Sequence, residues 1–103
     1  MERKGIFFKL RPGMKDEYAR RHANAPQELL DDLKRAGISD YTIWNYGDML
    51  FACYQVEDEK RCEEVLAGSA IYAKWREEME QVVYVTPGTG QKEWPMEQMF
   101  LLE

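Results

Sequence analysis

Residues that bind metals are scarce in this chain: one histidine, His22, and two cysteines, Cys53 and Cys62. The cysteines form neither a Cys-x-x-Cys pair nor a zinc-type spacing, which argues against a structural zinc site and leaves no expected metal. They read as reduced thiols in or near the core of a cytoplasmic protein. Long apolar runs are missing too. No stretch of signal-peptide length follows Met1-Glu2-Arg3-Lys4-Gly5, and no segment is long enough to span a membrane. A basic excess is absent: the formal net charge is −5. That argues against nucleic-acid binding and against adhesion to an anionic membrane. There is no Gly-x-Ser-x-Gly, no P-loop and no dinucleotide fingerprint, so the common hydrolase and nucleotide-binding readings fail on inventory. Repeats, low-complexity stretches and linkers are also lacking, so residues 1–103 are expected to form a single domain.

Aromatics are what the chain has in plenty. Three Trp, six Tyr and four Phe make up 13% of it. That exceeds the needs of a small core, and aromatics left over line pockets or interfaces.

Hydrophobic periodicity orders the chain. Residues 4–11 alternate, with Ile6, Phe8 and Leu10 on one face and Phe7 on the other, and Pro12-Gly13 ends this strand. From Met14 the apolar positions Met14, Tyr18, His22, Ala25, Leu29, Leu33 and Ala36 recur at helical steps. Gly37 stops the helix. Pro26 clashes with the carbonyl four residues back, so the helix should kink or restart near Ala25, with Asn24 and Gln27 capping the second piece. Residues 39–46 and 49–56 read as a hairpin about Gly47-Asp48. Asp58 opens a second helical region, interrupted at Gly68-Ser69, whose second part carries Ile71, Tyr72, Trp75, Met79, Val82 and Val83. After a loop at Thr86–Gly90, a last strand is predicted over about Met96 to Leu102.

The order β-α-β-β-α-β is the α+β, ferredoxin-like plan: an antiparallel four-stranded sheet with the helices on one face. The other face carries Phe7, Phe51 and Met99. An open apolar face of that size on a small domain implies a homodimer.

Histidine alone changes charge near neutrality without perturbation, and Tyr18 lies one helical turn before His22 on the same face. The pair is a candidate proton-transfer centre. Around it stands a polar-aromatic set of Tyr18, His22, Tyr41, Trp44, Trp75 and Arg76. Sugars suit such pockets, since apolar ring faces stack on their C–H bonds and hydroxyls meet fixed donors and acceptors. Against this, Trp75 could equally pack the core beside Ile71 and Met79, and Trp44 reads best as an ordinary strand aromatic.

Several motifs resemble the L-rhamnose mutarotase family. Glu17-Tyr18-x-Arg20-Arg21-His22 follows the strand that runs from Arg3-Lys4 to Leu10 and ends in Pro12-Gly13. Later come Ala36-Gly37-Ile38-x-Asp40-Tyr41-x-Ile43, Leu50-Phe51-Ala52, the Trp75…Met79 helix and Met99-Phe100-x-Leu102. The resemblance spans nearly the whole chain. It implies the same ferredoxin-like dimer, with His22 as the catalytic proton donor and Tyr18 and Tyr41 on the sugar. Two positions depart from the family pattern. A Trp-Trp pair becomes Trp75-Arg76, and a Trp-Pro-Glu-Leu segment becomes Ala25-Pro26-Gln27-Glu28-Leu29. Trp75 is expected to stack on the sugar, and Arg76 either bonds hydroxyls or points to solvent. With up to five donors in place of an indole, Arg76 would favour a more hydroxylated or acidic sugar. The implied activity is an aldose 1-epimerase equilibrating the α and β anomers of L-rhamnose or a related monosaccharide, without metal or cofactor. The same fold also admits a cofactor-independent monooxygenase or a non-catalytic ligand-binding module.

Overall fold

The computed structural model describes residues 1–103. Eight elements follow one another: β1 (Glu2–Lys9), α1 (Lys15–Ala23), α2 (Gln27–Arg35), β2 (Ile38–Tyr46), β3 (Met49–Val56), α3 (Glu59–Ala67), α4 (Ala70–Met79) and β4 (Trp94–Met96). The strands form one antiparallel sheet in the order β2-β3-β1-β4. This is the expected ferredoxin-like plan, with each helical layer broken into two pieces.

The breaks have local causes. Pro26 supplies no N–H and stands in extended backbone immediately before α2. Asn24 does not cap that helix, as the sequence had led us to expect. It closes α1 instead: its side-chain amide donates to the Arg20 carbonyl at 2.8 Å. Gln27 turns to Asp31, so no capping box forms. Asp58 caps α3 by accepting from the N–H groups of Lys60 and Arg61, and Ser69 caps α4 by accepting from that of Tyr72. The Ser69 bond explains why a new helix starts directly after Gly68. Gly37, with φ +82°, takes the left-handed position after α2 and turns the chain into β2.

Period-two alternation splits the sheet as the sequence implies. Phe8, Leu10, Leu50 and Ala52 are buried in one cluster with Tyr18, Met79, Val82 and Val83. A second cluster joins Ala36, Val56 and Cys62. On the opposite face Phe7 lies against Phe51 and Trp94, with ring centroids 5.5 and 6.0 Å apart. Trp44 is 68% exposed on that side, where its register partner is Phe51. Cys62 is buried as expected, but Cys53 is exposed on the outer face, because its place in β3 puts it out of phase with Ala52.

Two boundaries differ from the sequence reading. The final helix stops at Met79; Val82 lies in the turn that follows it, and Val83 forms an isolated antiparallel bridge with Leu10 just past the end of β1. There Arg11 donates to the Val82 carbonyl and Tyr84 to the Lys9 carbonyl, each at 2.8 Å. Val82 and Val83 are buried by the sheet rather than by a helix, and helical spacing cannot distinguish the two. The last strand is Trp94–Met96 and not Met96–Leu102. It pairs with Gly5–Phe7, where Phe7 and Ile6 offer apolar partners. Further on it would run beside Lys4, Arg3 and Glu2, and the chain leaves the sheet. Pro95 is tolerated there because β4 is an edge strand.

Candidate active site

Between the inner face of the sheet and the helices lies a cavity of about 970 Å³, lined mostly by apolar side chains. Tyr18, His22, Tyr41, Trp75 and Arg76 all face it. These five come from α1, β2 and α4, so the fold gathers residues far apart in sequence. Trp44, the sixth member of the polar-aromatic set, stands on the other side of the sheet.

The pair on α1 is built by helical spacing. The Tyr18 and His22 rings lie 4.1 Å apart, and the Phe8 ring backs Tyr18 at 6.2 Å. His22 meets Trp75 edge-on, with centroids 5.1 Å apart and planes at 80°. A strap keeps α1 against the end of α4. Arg21 donates to Glu17 at 2.7 Å, to the Glu78 carbonyl at 2.8 Å and to the Gln81 side chain at 3.0 Å. Trp75 therefore serves both the core and the cavity wall, since it also packs against the main cluster.

The protonation of His22 follows from its surroundings. Its Nδ1 lies 3.0 Å from the Tyr18 carbonyl oxygen. A carbonyl only accepts, so Nδ1 carries the hydrogen and Nε2 keeps a lone pair. Burial pushes the imidazole below its ordinary pKa, against a smaller opposing effect of that hydrogen bond. The neutral ring is thus the resting form, and Nε2 is a proton acceptor at pH 7.

Tyr41 reaches the cavity through a bulge that sequence reading did not reveal. Between Ser39 and Thr42 the register with β3 slips, so Asp40 and Tyr41 together oppose Tyr54. Asp40 has φ +50°, a left-handed conformation that Asp tolerates better than most residues. The result stacks Tyr41 on Tyr54, with centroids 4.8 Å apart and planes at 13°. Tyr41 keeps 44% of its surface exposed, yet desolvation of its phenol against the surrounding side chains, and then the oxygens of Tyr54, Tyr18, Glu93 and Tyr72, push its pKa up. Burial and the Glu93 charge raise Tyr18 likewise. Both phenols stay protonated, so each has an O–H to offer.

Arg76 does not point to solvent. Its Nη1 bonds the Glu93 carboxylate, and its guanidinium carbon lies 5.8 Å from the Tyr72 ring centroid. Glu93 and Tyr72 also line the cavity. Sequence reasoning missed Glu93 as a site residue, since it sits in an irregular stretch just before β4. Ala25 lines the cavity, whereas Pro26 belongs to a separate shallow groove beside Arg20 and Arg21. No group of His, Cys, Asp and Glu side chains is arranged to hold a metal ion.

A family model described as L-rhamnose mutarotase matches residues 3–102. An L-rhamnose mutarotase from Burkholderia orbicola is 36% identical over 105 residues, covering 100% of both chains. The crystal structure of an L-rhamnose mutarotase from Formosa agariphila superimposes with a TM-score of 0.84 at 31% identity, again over 100% of both chains. The tetracenomycin F2 cyclase of Streptomyces glaucescens shares the fold alone, with a TM-score of 0.65 at 10% identity over 100% of both chains.

Proposed function

The chain belongs to the L-rhamnose mutarotase family, and from that premise we propose how its cavity works and how it assembles. The protein is an isomerase, an aldose 1-epimerase that interconverts the α and β anomers of L-rhamnose or a related sugar. The monooxygenase and passive-binding alternatives are not favoured. One observation carries the assignment of roles: a neutral imidazole with a free Nε2 stands between Tyr18 and Trp75 in one cavity.

Mutarotation requires the pyranose ring to open and reclose. In this reading His22 is first a base rather than the proton donor that the resemblance implies: its Nε2 takes the proton of the anomeric hydroxyl as a C1–O1 double bond forms. The C1–O5 bond breaks, its electron pair goes to O5, and a phenol of Tyr18 or Tyr41 donates to that oxygen. The aldehyde then rotates about C1–C2. On reclosure O5 attacks the other face of C1 and returns its proton, while the imidazolium protonates O1. Every proton borrowed is given back, so no cofactor is consumed. Acid–base assistance on the order of 10²–10⁴-fold per positioned group suffices for a reaction that is already fairly fast in water. Trp75 supplies an apolar wall for the sugar's C–H face. Arg76, with Glu93, supplies polar contacts.

The outer sheet face, with Phe7, Phe51, Trp44, Tyr46 and Trp94, is assigned to a second copy of the chain. Met99, Phe100 and Leu102 are more than three-quarters exposed nearby in sequence to β4 and add to the apolar surface seeking cover. Both cysteines are unpaired, and no helix is long and apolar enough to cross a membrane. Free thiols fit a reducing compartment, and we place the enzyme in the cytoplasm.

Saturation-transfer NMR on L-rhamnose reads anomer exchange directly. The wild-type chain should accelerate exchange, and His22→Asn should remove most of the acceleration while the circular dichroism spectrum is kept. Near-wild-type exchange in His22→Asn would overturn the role given to His22.

A further inference from the structure

We propose that Glu93 is a specificity-determining residue of this cavity: by matching the charge of Arg76 it makes the site one for neutral aldoses and excludes sugar acids. The inference rests on the anomer-exchange reading above.

Taken by itself, an arginine in a sugar pocket invites a carboxylate, because its guanidinium fork suits one. Here the Glu93 carboxylate already bonds Nη1 of that fork and matches its charge. Arg76 and Glu93 are each only about a third exposed, at 35% and 34% of their side chains, and both face the cavity. An incoming carboxylate would have to displace Glu93 or lie beside it. Either course leaves two carboxylates to share one cation in a half-desolvated place. Nor does another unmatched cation compensate nearby. Lys92 is 3.2 Å from Glu80. Lys4 is held by Glu59 at 2.6 Å and Glu2 at 3.2 Å. Arg3 also lines the cavity and has no carboxylate partner, but Glu93 adjoins Trp94, whose register partner is Phe7, and Arg3 stands four residues along β1 from Phe7, roughly 13 Å at ordinary strand rise.

The same pair suits hydroxyls. Arg76 bonds one carboxylate oxygen of Glu93. The other oxygen has no partner in the protein and remains an acceptor, and the guanidinium keeps further N–H donors. A hydroxyl can donate to the first and accept from the second, so it answers both groups at once. A second carboxylate answers only one of them.

L-mannuronate is the cleanest probe, because it differs from L-rhamnose only in bearing a carboxylate where L-rhamnose has its methyl group. Anomer exchange of L-rhamnose, L-mannose and L-mannuronate is measured by saturation-transfer NMR for the wild type, Glu93→Gln and the double variant Arg76→Gln/Glu93→Gln. The wild type should exchange the two neutral sugars well ahead of the acid. Glu93→Gln frees the guanidinium and should raise the ratio of kcat/KM for L-mannuronate over L-rhamnose by about tenfold or more, the scale of one charged hydrogen bond. Most of that gain should lie in KM and shrink with added salt. The double variant should lose it. A gain of a new substrate cannot come from misfolding. The proposal is overturned if the wild type exchanges L-mannuronate as fast as L-rhamnose, a result that needs no variant. It is equally overturned if Glu93→Gln leaves the ratio unchanged while L-rhamnose exchange persists, and then the anomer-exchange reading survives. If the wild type exchanges none of the three sugars, both fall together.

Discussion

His22 stands edge-on to Trp75, with ring centroids 5.1 Å apart at an interplanar angle of 80°. The contact couples the proposed base to a spectroscopic reporter. Burial holds the imidazole below its ordinary pKa, so the neutral, base-competent ring predominates at neutrality. Exchange activity should therefore rise with pH through a pKa below the usual 6.5 and stay level above it. An imidazolium at this distance quenches indole emission. A fluorescence titration of the wild type, with Trp75→Phe as the blank for the other two tryptophans, should report the same midpoint as the activity profile. Midpoints that disagree, or an activity that falls as pH rises from 6 to 8, would remove His22 from the base role.

The bulge at Asp40 is a second point of leverage. Its φ of +50° costs an ordinary L-residue roughly 1–2 kcal/mol, and β-branched residues fare worst there. Asp40→Val should destabilise the fold by about that amount, a drop of several degrees in Tm for a domain of this size. It should also raise KM for the sugar, because Tyr41 depends on the bulge for its place on Tyr54. Asp40→Gly accepts the same backbone and should keep both stability and KM near the wild type. Equal behaviour of the two variants would show that the bulge does not position Tyr41.

Glu17 anchors the other side of the site. Hydrogen bonds from Arg20 and then Arg21 lower its carboxyl to about 2. A carboxyl lowered on folding adds stability above its unfolded pKa, and the gain is lost as pH falls toward the folded value. The window runs here from about 4.5 down to about 2. Thermal melts of the wild type and Glu17→Gln should differ most above pH 5 and converge toward pH 2. The effect is small, since the pair is solvent-facing. Melts that diverge on acidification would contradict the sign.

Much of this architecture was legible in the residues. The strand alternation of Ile6, Phe8 and Leu10, the hairpin at Gly47-Asp48 and the break at Pro26 each rest on local chemistry, and each is where the sequence puts it. The placement of Tyr18, His22, Trp75 and Arg76 around one cavity follows from that order of elements. Contacts made across the fold were illegible. Val82 and Val83 keep helical spacing but are claimed by the end of β1. Asn24 has two helix ends within reach, and it closes the one before it. Tyr41 is turned inward by a register slip with no local signature. Glu93 lies in a stretch without periodicity, and only the folded chain shows that Arg76 has a partner.

The outer sheet face yields the last prediction. Trp44 is 68% exposed and Tyr46 74% exposed, beside Phe51 and Met49 in the register of β2 with β3. Few monomers leave such a contiguous aromatic surface in water. If a second copy covers it, the wild type should scatter light as a dimer at micromolar concentration. Trp44→Glu places a charge in the middle of that face while touching none of the main core cluster. The variant should keep its secondary structure and shift to a monomer, because burying an unpaired carboxylate costs several kcal/mol per site and a symmetric interface meets it twice. Its exchange activity then tells whether one chain holds a complete site. All five proposed site residues line the cavity of a single chain, so a folded monomer should retain measurable exchange. A wild type that is monomeric at micromolar concentration, or a Trp44→Glu variant that remains dimeric, would mean that this face is not the interface.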